Sequence, residues 1–308
     1  MYIDYEKQIE ETKNDINYEE YMEESHRNRA EGWKYAKLTG HQNEILIAEE
    51  IKSNENLQKR ILDYANVAES TNIYKVECGG TSQKKVDSVF EGKKTTSKTD
   101  VYLYLQNGEK INISIKKDKQ GQVFLIGIDN FINGFKLQYN TTISKEVERA
   151  IKLYFGSAED IPEIIEKYSS SKNKDLELRK HRLVADTLRE YNPKLSEELL
   201  SWFKQNKFQI FDFCFSRGLS KKSDDWVDIL WYKNAIKTDY LNLDNLINLQ
   251  KIKNNIKGYD IYYGKGNGGS AIQLPFGFVQ WHSPKKTIPG QLQFHHDYEK
   301  IMKLNSMQ

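Results

Sequence analysis

Two short runs of alternating residues, separated by Asn107-Gly108, constrain the fold of this 308-residue chain most strongly. Apolar residues occupy every second position of 101–105 and again of 111–115, and polar or aromatic residues stand between them. A period of two indicates strands with one buried face, and Asn-Gly between two such strands indicates a hairpin. We therefore predict an antiparallel β-hairpin over these two runs.

The alternation also predicts how the two strands pair. Asp100 lies on the polar face of the first strand, and Ser114 and Lys116 lie on the polar face of the second. For both apolar faces to point into one core, the numbers of paired residues must have an even sum, which a two-residue turn does not give. We predict a three-residue loop or a bulge near Gly108, with Asp100 within one residue step of Ser114 and Lys116.

A carboxylate beside a lysine is suited to metal-assisted hydrolysis of a phosphodiester. The carboxylate can hold Mg²⁺, which polarises the phosphate and lowers the pKa of a bound water, while the lysine orients or deprotonates that water. The alternative is an ordinary ion pair on a solvated sheet face, which a chain with 46 Lys and Arg residues also produces by chance. The residues by themselves leave both interpretations open.

The patterning of the whole chain predicts an α/β (α+β) protein that forms one compact domain over 1–308. The predicted parts are N-terminal helices at 1–39, a core at 40–140, a helical part at 141–206 and a β-rich C-terminal part at 207–308. Helical spacing covers 144–155, 160–168 and 174–204. Strands are predicted near 226–232, 259–263, 271–281 and 290–295, with a helix near 242–255.

Composition limits the compartment and the partners. A formal net charge of +2 argues against binding of polyanions by bulk charge, but an acidic site and a basic cleft can cancel in that sum. Two cysteines exclude a disulfide scaffold and a four-cysteine zinc site. No apolar run reaches membrane-spanning length, and the acidic start does not have the pattern of a signal peptide. We expect a cytoplasmic protein with no membrane partner.

Three stretches resemble the PD-(D/E)XK nuclease superfamily, and within it the type II restriction endonucleases, closest to the CCGG-cutting type. Ser97–Val101 followed by Ile113–Lys117 is similar to the strand, turn and strand that carry the family's first Asp and its acid-x-Lys motif. Gly40–Glu44 matches the G-x-x-x-E of the upstream core helix, and Gln293–His295 resembles a C-terminal Gln-Phe-Lys run that contacts bases. Ser114 departs from the pattern, because most members carry Asp or Glu there and certain members carry Asn or Gln.

The resemblance implies a restriction-endonuclease-like fold, in which a mixed β-sheet is flanked by helices, with a β-rich C-terminal DNA-recognition part. It implies a Mg²⁺-dependent type II restriction endonuclease that cuts double-stranded DNA as a monomer or a homodimer. Asp100 and the Ile115 carbonyl would bind the metal, Lys116 would position the attacking water, Ser114 would support the site, and Glu44 would lie near the metal. Two alternatives stay open: a non-catalytic DNA-binding protein on a decayed nuclease core, which Ser114 favours, and a metal-dependent nuclease for repair, structured DNA or RNA.

Polar and basic side chains of two segments are candidates for DNA contacts. Phosphate contacts come from basic loops, and base readout comes from polar side chains in a groove. The candidates are Lys98, Lys117, Lys119, Gln122, Lys265, Ser270, Gln273, Ser283, Lys285, Lys286, Gln291, Gln293 and His295. The alternative is that they are ordinary exposed residues. If they do bind DNA, both segments should line one cleft with Asp100.

Overall fold

The computed structural model describes the backbone of residues 29–67, 71–79, 84–236, 244–282 and 290–307, with side chains from residue 40 onward. Most of the N-terminal helices predicted for 1–39 lie outside the described residues, and so do Ser283, Lys285 and Lys286. None of the helices in the described ranges combines the length and the apolar character that crossing a bilayer requires.

The predicted hairpin lies at the centre of a mixed sheet with the strand order β1-β4-β5-β7-β8. The strands are β1 Ile73–Cys78, β4 Val101–Leu105, β5 Lys110–Lys116, β7 Ile229–Lys233 and β8 Asp244–Asn248. Neighbours pair antiparallel except β5 and β7, which are parallel. A short separate pair precedes β4, formed by β2 Lys85–Asp87 and β3 Lys94–Thr96. The parallel pair brings a distant part of the chain beside the hairpin.

The register of the hairpin confirms the prediction from alternation. Val101 pairs with Ile113 and Tyr102 with Asn112, so the paired numbers have an even sum. The Leu105 N–H donates to the Glu109 carbonyl (3.0 Å), so residues 106–108 form a three-residue loop closed by that bond. Its glycine has φ +88°, a conformation that costs glycine little. The apolar residues of both strands therefore point to the same side of the sheet.

Two helices bury that apolar side: α1, Arg29–Ser53, and α2, Glu55–Tyr64. The buried members of this core are Ile47, Ala48, Ile51, Leu57, Ile61, Val101, Leu103, Leu105, Ile111, Ile113, Ile115, Ile229, Trp231 and Leu246. Full burial of one such side chain stabilises the fold by about 1.5–3 kcal/mol. This core consequently fixes which face of the hairpin carries Asp100.

A second, antiparallel sheet has the order β6-β12-β11-β10-β9. Its strands are β6 Gln120–Gly127, β9 Tyr262–Tyr263, β10 Ala271–Leu274, β11 Gly277–His282 and β12 Gln291–Asp297. One face packs on a core rich in phenylalanine, where the Phe131 ring contacts Phe213 and Phe294. Because β6 follows β5 after a short turn, the two sheets lie next to each other.

Helices and a π-helical turn surround this second core. They are α3 Ile128–Tyr139, α4 Lys145–Phe155, α5 Ile161–Tyr168, α6 Ser171–Lys180, α7 Ala185–Tyr191, α8 Pro193–Gln205, α9 Lys207–Asp212, the π turn Phe213–Arg217, α10 Leu249–Asn255 and α11 Tyr298–Asn305. Ser144 begins α4 by accepting the Val147 N–H, and Asn192 begins α8 by accepting the Leu195 N–H.

The predicted fold class is confirmed: the protein is α/β, with a mixed sheet flanked by helices. Local predictions were wrong in three places. The helix near 242–255 begins only at Leu249, because Asp244–Asn248 pairs with β7 as β8. The strand at 271–281 is a hairpin of β10 and β11, and the helix at 174–204 is broken into three. The division of the chain into four parts stays a prediction, and strands of 207–308 join both sheets.

Candidate active site

Asp100, Ser114 and Lys116 form one hydrogen-bonded chain on the polar face of the hairpin. The Ser114 hydroxyl donates to Asp100 Oδ2 (3.0 Å), and Lys116 Nζ donates to Ser114 Oγ (2.8 Å). The backbone of Ile115 contributes on both sides, since its N–H donates to Asp100 Oδ2 (2.6 Å) and its carbonyl accepts from Lys116 Nζ (3.1 Å). The serine hydroxyl therefore bridges the carboxylate and the ammonium group.

Backbone hydrogen bonds hold Asp100 between its two neighbouring strands. Its N–H donates to the Ile113 carbonyl (2.8 Å), and its carbonyl accepts from the Gly79 N–H (2.8 Å). A Cβ at Gly79 would lie 2.3 Å from the Thr99 carbonyl oxygen, so the close approach requires glycine. The carboxylate is consequently buried and positioned by the fold itself.

Helix α1 brings a second carboxylate, Glu44, to the same region. His41 Nδ1 lies 3.4 Å from Glu44 Oε2, one turn earlier on the helix. Asn43 ties α1 to the end of β7, because its amide donates to the Lys233 carbonyl (2.9 Å) and accepts the Ala235 N–H (2.6 Å). The sequence motif identified Glu44, but it gave no sign of the His41 and Asn43 contacts that hold it.

Asp100 lies close enough to Glu44 to affect the ionisation of the Glu44 carboxyl group. The pKa of Glu44 is raised to about 7, chiefly because the group is buried and also because Asp100 carries a negative charge nearby. The hydrogen bond and charge of His41 and the charge of Lys116 act in the opposite direction. A cation bound between Asp100 and Glu44 would offset this repulsion.

The donor atoms of the site fit a hard cation such as Mg²⁺. Asp100 and Glu44 offer carboxylate oxygens, Ile115 a carbonyl oxygen and Ser114 a hydroxyl, and oxygen is the donor that Mg²⁺ prefers. Among the residues with described side chains, no three His, Cys, Asp or Glu groups converge as a metal site. Mg²⁺ is commonly held by one or two carboxylates and several waters, so two carboxylates suffice.

Lys98, a predicted DNA contact, points into the protein. Its Nζ lies 3.6 Å from the centroid of the Phe124 ring and donates to the Val123 carbonyl (3.4 Å). Burial lowers the pKa of Lys98 to about 7, and the positive charge of Lys116 acts in the same direction. In this conformation the ammonium group is directed at β6, and its contact with DNA stays a prediction.

Several other candidates lie together on the outer face of the second sheet. Gln293 donates to Gln122 (2.8 Å), and Gln280 donates to Gln293 (3.1 Å), so three strands are joined by a ladder of amides. The His295 ring stacks on Phe278 with centroids 4.5 Å apart and lies 3.3 Å from the Gln280 amide nitrogen. Alternation along β11 and β12 puts these side chains on one face and the core residues on the other.

The remaining candidates are more scattered. Gln291 contacts His282 (3.2 Å) on the same outer face, and Gln273 accepts from Lys300 (3.3 Å). Lys119 pairs with exposed Glu299 (3.2 Å) at the start of β6. Lys117 precedes it, Lys265 is exposed in the turn after β9, and the Ser270 carbonyl accepts from Arg182. The candidates on β6, β11 and β12 thus contact one another on one face. Lys265 and Ser270 lie in the segment between β9 and β10, outside those strands.

The end of β12 lies beside the candidate active site. A contact between His296 and Tyr232, which the sequence patterns did not predict, holds it there. Buried His296 lies 2.9 Å from the Tyr232 hydroxyl, and Tyr232 pairs with Lys116 across the parallel strands. Burial lowers the pKa of His296 to about 3, with the charge of Lys116 as a further cause. This contact follows from the pairing of β5 with β7, which local alternation does not reveal.

A cavity of about 930 Å³ opens at the other end of the hairpin. It is lined by the loop residues 107–109 and by Asn112, Arg217, Trp226 and Asp228, among others. None of the candidate catalytic residues lines it. The cavity is therefore separate from the candidate active site.

Comparison with known proteins finds a likeness in structure and none in sequence. No protein-family model matches the sequence, and no curated protein matches it. Among solved structures, the restriction endonuclease MspI in complex with its cognate DNA is similar to this chain, with 12% sequence identity and a TM-score of 0.48. The similarity covers 91% of this chain and 98% of that one.

Proposed function

We propose that this protein is a Mg²⁺-dependent endonuclease that hydrolyses double-stranded DNA at specific sequences, as type II restriction endonucleases do. The observation that carries the proposal is the chain Asp100–Ser114–Lys116, closed by the Ile115 backbone. It places a buried carboxylate, a carbonyl oxygen and an ammonium group around one point. A carboxylate and a carbonyl that could hold a metal ion, beside an ammonium group, are suited to metal-assisted hydrolysis of a phosphodiester.

Each residue has a separate task in this proposal. Asp100 and the Ile115 carbonyl would hold Mg²⁺, with Glu44 near it. The metal would polarise the scissile phosphate and lower the pKa of an attacking water. Lys116 would orient that water and stabilise the charge that develops on the phosphate. Ser114 would keep the ammonium group of Lys116 in place through its hydroxyl.

The outer face of the second sheet supports duplex DNA as the substrate. Apart from histidine, the strands β6, β11 and β12 carry one acidic or basic residue, Asp297, and their outward side chains are mainly amides and imidazoles. Amide side chains can form paired hydrogen bonds with adenine, and each such contact discriminates by about 1–3 kcal/mol. Because the end of β12 lies next to Lys116, bases bound on this face would be close to the candidate active site.

Single substitutions test the catalytic roles. We expect Asp100→Ala and Lys116→Ala each to abolish cleavage of plasmid DNA in Mg²⁺, while DNA binding persists. Asp129→Ala and Lys59→Ala are matched controls, since both residues are exposed and lie outside the site. Cleavage at the wild-type rate by Asp100→Ala and by Lys116→Ala would refute the proposal.

A second candidate function is a DNA-binding protein without catalysis. The observation in its favour is Ser114, a neutral residue at the position where a second acid would strengthen metal binding. Specific DNA affinity with no cleavage in either Mg²⁺ or Mn²⁺ would favour this alternative. In that case Lys116→Ala should weaken DNA binding only by the small amount expected from the loss of one positive charge.

A further inference from the structure

A β-bulge in the edge strand β1 places a tyrosine on the polar face of the first sheet. Ile73 pairs with Leu105 and Lys75 pairs with Tyr104, which leaves Tyr74 as the extra residue. The Tyr74 ring lies 6.4 Å from the Tyr104 ring, and Tyr74 is 63% exposed. Bulges commonly redirect a side chain at a sheet edge. Here the redirected ring enlarges an aromatic surface that faces solvent.

Three lysine ammonium groups surround this aromatic surface. The distances to the centroid of the Tyr104 ring are 5.0 Å from Lys75, 5.5 Å from Lys110 and 6.0 Å from Lys84. Glu77 lies among them and accepts a hydrogen bond from the Tyr104 hydroxyl, and Asp225 carries a negative charge close enough to act on Lys84. We name this surface the Tyr104 patch, consisting of Tyr74, Lys75, Glu77, Lys84, Tyr104 and Lys110, with a formal net charge of +2.

Ion pairing within the protein leaves positive charge in excess. Lys75 and Lys84 share the single Glu77 carboxylate at 3.4 and 3.9 Å, and Lys110 forms no ion pair with the residues that the structure describes. Exposed pairs of this kind contribute only about 0–1 kcal/mol to stability. The lysines are therefore available to an anionic partner, and replacing them should leave the fold intact.

The patch and the candidate active site lie on the same face of the first sheet. Asp100 and Tyr104 both occupy the polar face, because side chains alternate along a strand, and four residue steps correspond to roughly 13 Å. The turn Ser223–Asp225 lies between the two, since Asn112 donates to the Asp224 carbonyl (2.9 Å). With one phosphate per strand about every 3.4 Å of duplex, this separation spans about four base pairs.

We propose that the Tyr104 patch binds the sugar–phosphate backbone of duplex DNA to one side of the bond that the candidate active site would cleave. The position rests on the proposed nuclease function, and the attraction rests on the excess of lysine charge. Lysine and tyrosine side chains are common donors to phosphate and sugar oxygens, and such contacts position a duplex without selecting bases. The patch would strengthen binding to all sequences alike.

Salt dependence of DNA binding tests the inference. The variants are Lys75→Gln/Lys110→Gln in the patch and the matched control Lys52→Gln/Lys59→Gln, whose exposed lysines lie on the helices that cover the opposite face of the sheet. Binding of a 40-bp duplex of random sequence would be measured in EDTA over a range of salt concentrations. Each lost phosphate contact lowers the slope of log K against log salt by about 0.9.

We expect the slope of the patch variant to fall by between about 1 and 2 units, because each lost contact contributes about 0.9. Lys75→Arg/Lys110→Arg should retain the wild-type slope, because arginine keeps the positive charge. An unchanged slope in the patch variant, or an equal loss in the control, would overturn the inference. Cleavage assays in Mg²⁺ separate this from the proposed function. If the patch variant has a reduced slope but the wild-type protein never cuts DNA, the role of the patch is supported and the nuclease function is contradicted. If the wild-type protein cuts DNA but the patch variant keeps the wild-type slope, the nuclease function is supported and the role of the patch is contradicted.

Discussion

In the candidate active site, the hydroxyl of Ser114 stands where most members of the resembled family carry a carboxylate. Its Oγ accepts from Lys116 and donates to Asp100, so it controls where the ammonium group lies. We expect Ser114→Ala to lower the single-turnover cleavage rate by about tenfold to a hundredfold, because a hydrogen bond to a charged group contributes about 1.5–3 kcal/mol. Binding of uncut DNA should be unchanged, and Ser53→Ala, at the exposed end of α1, serves as the control. A wild-type rate in Ser114→Ala would show that the bridge has no catalytic role.

Asp228 lies outside the site with an exposed side chain that lines the cavity, and the protein around it desolvates its carboxylate in part. It should therefore make stability depend on pH. Burial raises its pKa to about 6 from 3.8, while the Asn112 N–H donates to its Oδ2 (2.9 Å). Because the folded state then binds more protons than the unfolded state between pH 3.8 and about 6, the stability contributed by this group falls as pH rises through that window.

Asp228→Asn removes this titration and keeps an oxygen that can accept the Asn112 N–H. We expect the difference in unfolding free energy between the variant and the wild type to move in favour of the variant as pH rises from 4 to 7. Denaturant unfolding at several pH values measures it. A difference that stays constant across that range would contradict the assignment.

Glycine substitutions test the elements that place Asp100. A Cβ at Gly79 would meet the Thr99 carbonyl at 2.3 Å and the Tyr102 ring at 2.6 Å, so β1 would have to move away from β4. We expect Gly79→Ala to destabilise the protein by about 1–3 kcal/mol and to reduce cleavage. At Gly40, inside α1, an added Cβ would meet no atom within 4 Å. Gly40→Ala should instead stabilise by about 0.5–1 kcal/mol, and equal effects of the two variants in denaturant unfolding would contradict this.

The hairpin and its register could be predicted from sequence because the evidence is local. Alternation over two short runs gave the strands, the shared polar face and the loop around Gly108, and it brought Asp100 to Ser114. Glu44 required a motif match, because nothing local places α1 beside β4. The register also depended on both apolar faces sharing one core, which the helices α1 and α2 provide.

Non-local pairing accounts for what the sequence did not predict. Asp244–Asn248 has no clear period of two, and it forms a strand only because β7 offers an edge. The Tyr232–His296 contact likewise depends on β7 lying parallel to β5. Pairings between distant segments leave little trace in one sequence, so the assembly of the predicted C-terminal strands into a second sheet, and the position of that sheet beside Lys116, could not be derived.

At the scale of the whole molecule, Tyr232 and His296 connect the sheet that carries the catalytic candidates to the sheet with the amide face. Tyr232→Phe would leave the buried His296 Nδ1 without its partner. We expect a loss of stability of about 1–3 kcal/mol, the cost of an unsatisfied buried polar group. Tyr64→Phe, which changes an exposed tyrosine, is the control. Equal unfolding free energies for Tyr232→Phe and the wild type would contradict the role of this contact.

The formal charge of +2 is an average over unlike surfaces. Carboxylates meet at Asp100 and Glu44, lysines surround Tyr104, and the outer face of β6, β11 and β12 is nearly free of charge. In the proposed function these surfaces would serve as a site for a metal ion, a surface for phosphates and a face for bases. The net charge conceals this arrangement.

Digestion of DNA of known sequence in Mg²⁺, followed by sequencing of the ends, tests the central claim most directly. The account predicts discrete fragments whose ends all fall at one short sequence, and no fragments from Asp100→Ala. Intact DNA at every concentration of protein, Mg²⁺ and Mn²⁺ would contradict catalysis. Ends scattered without regard to sequence would contradict sequence-specific recognition.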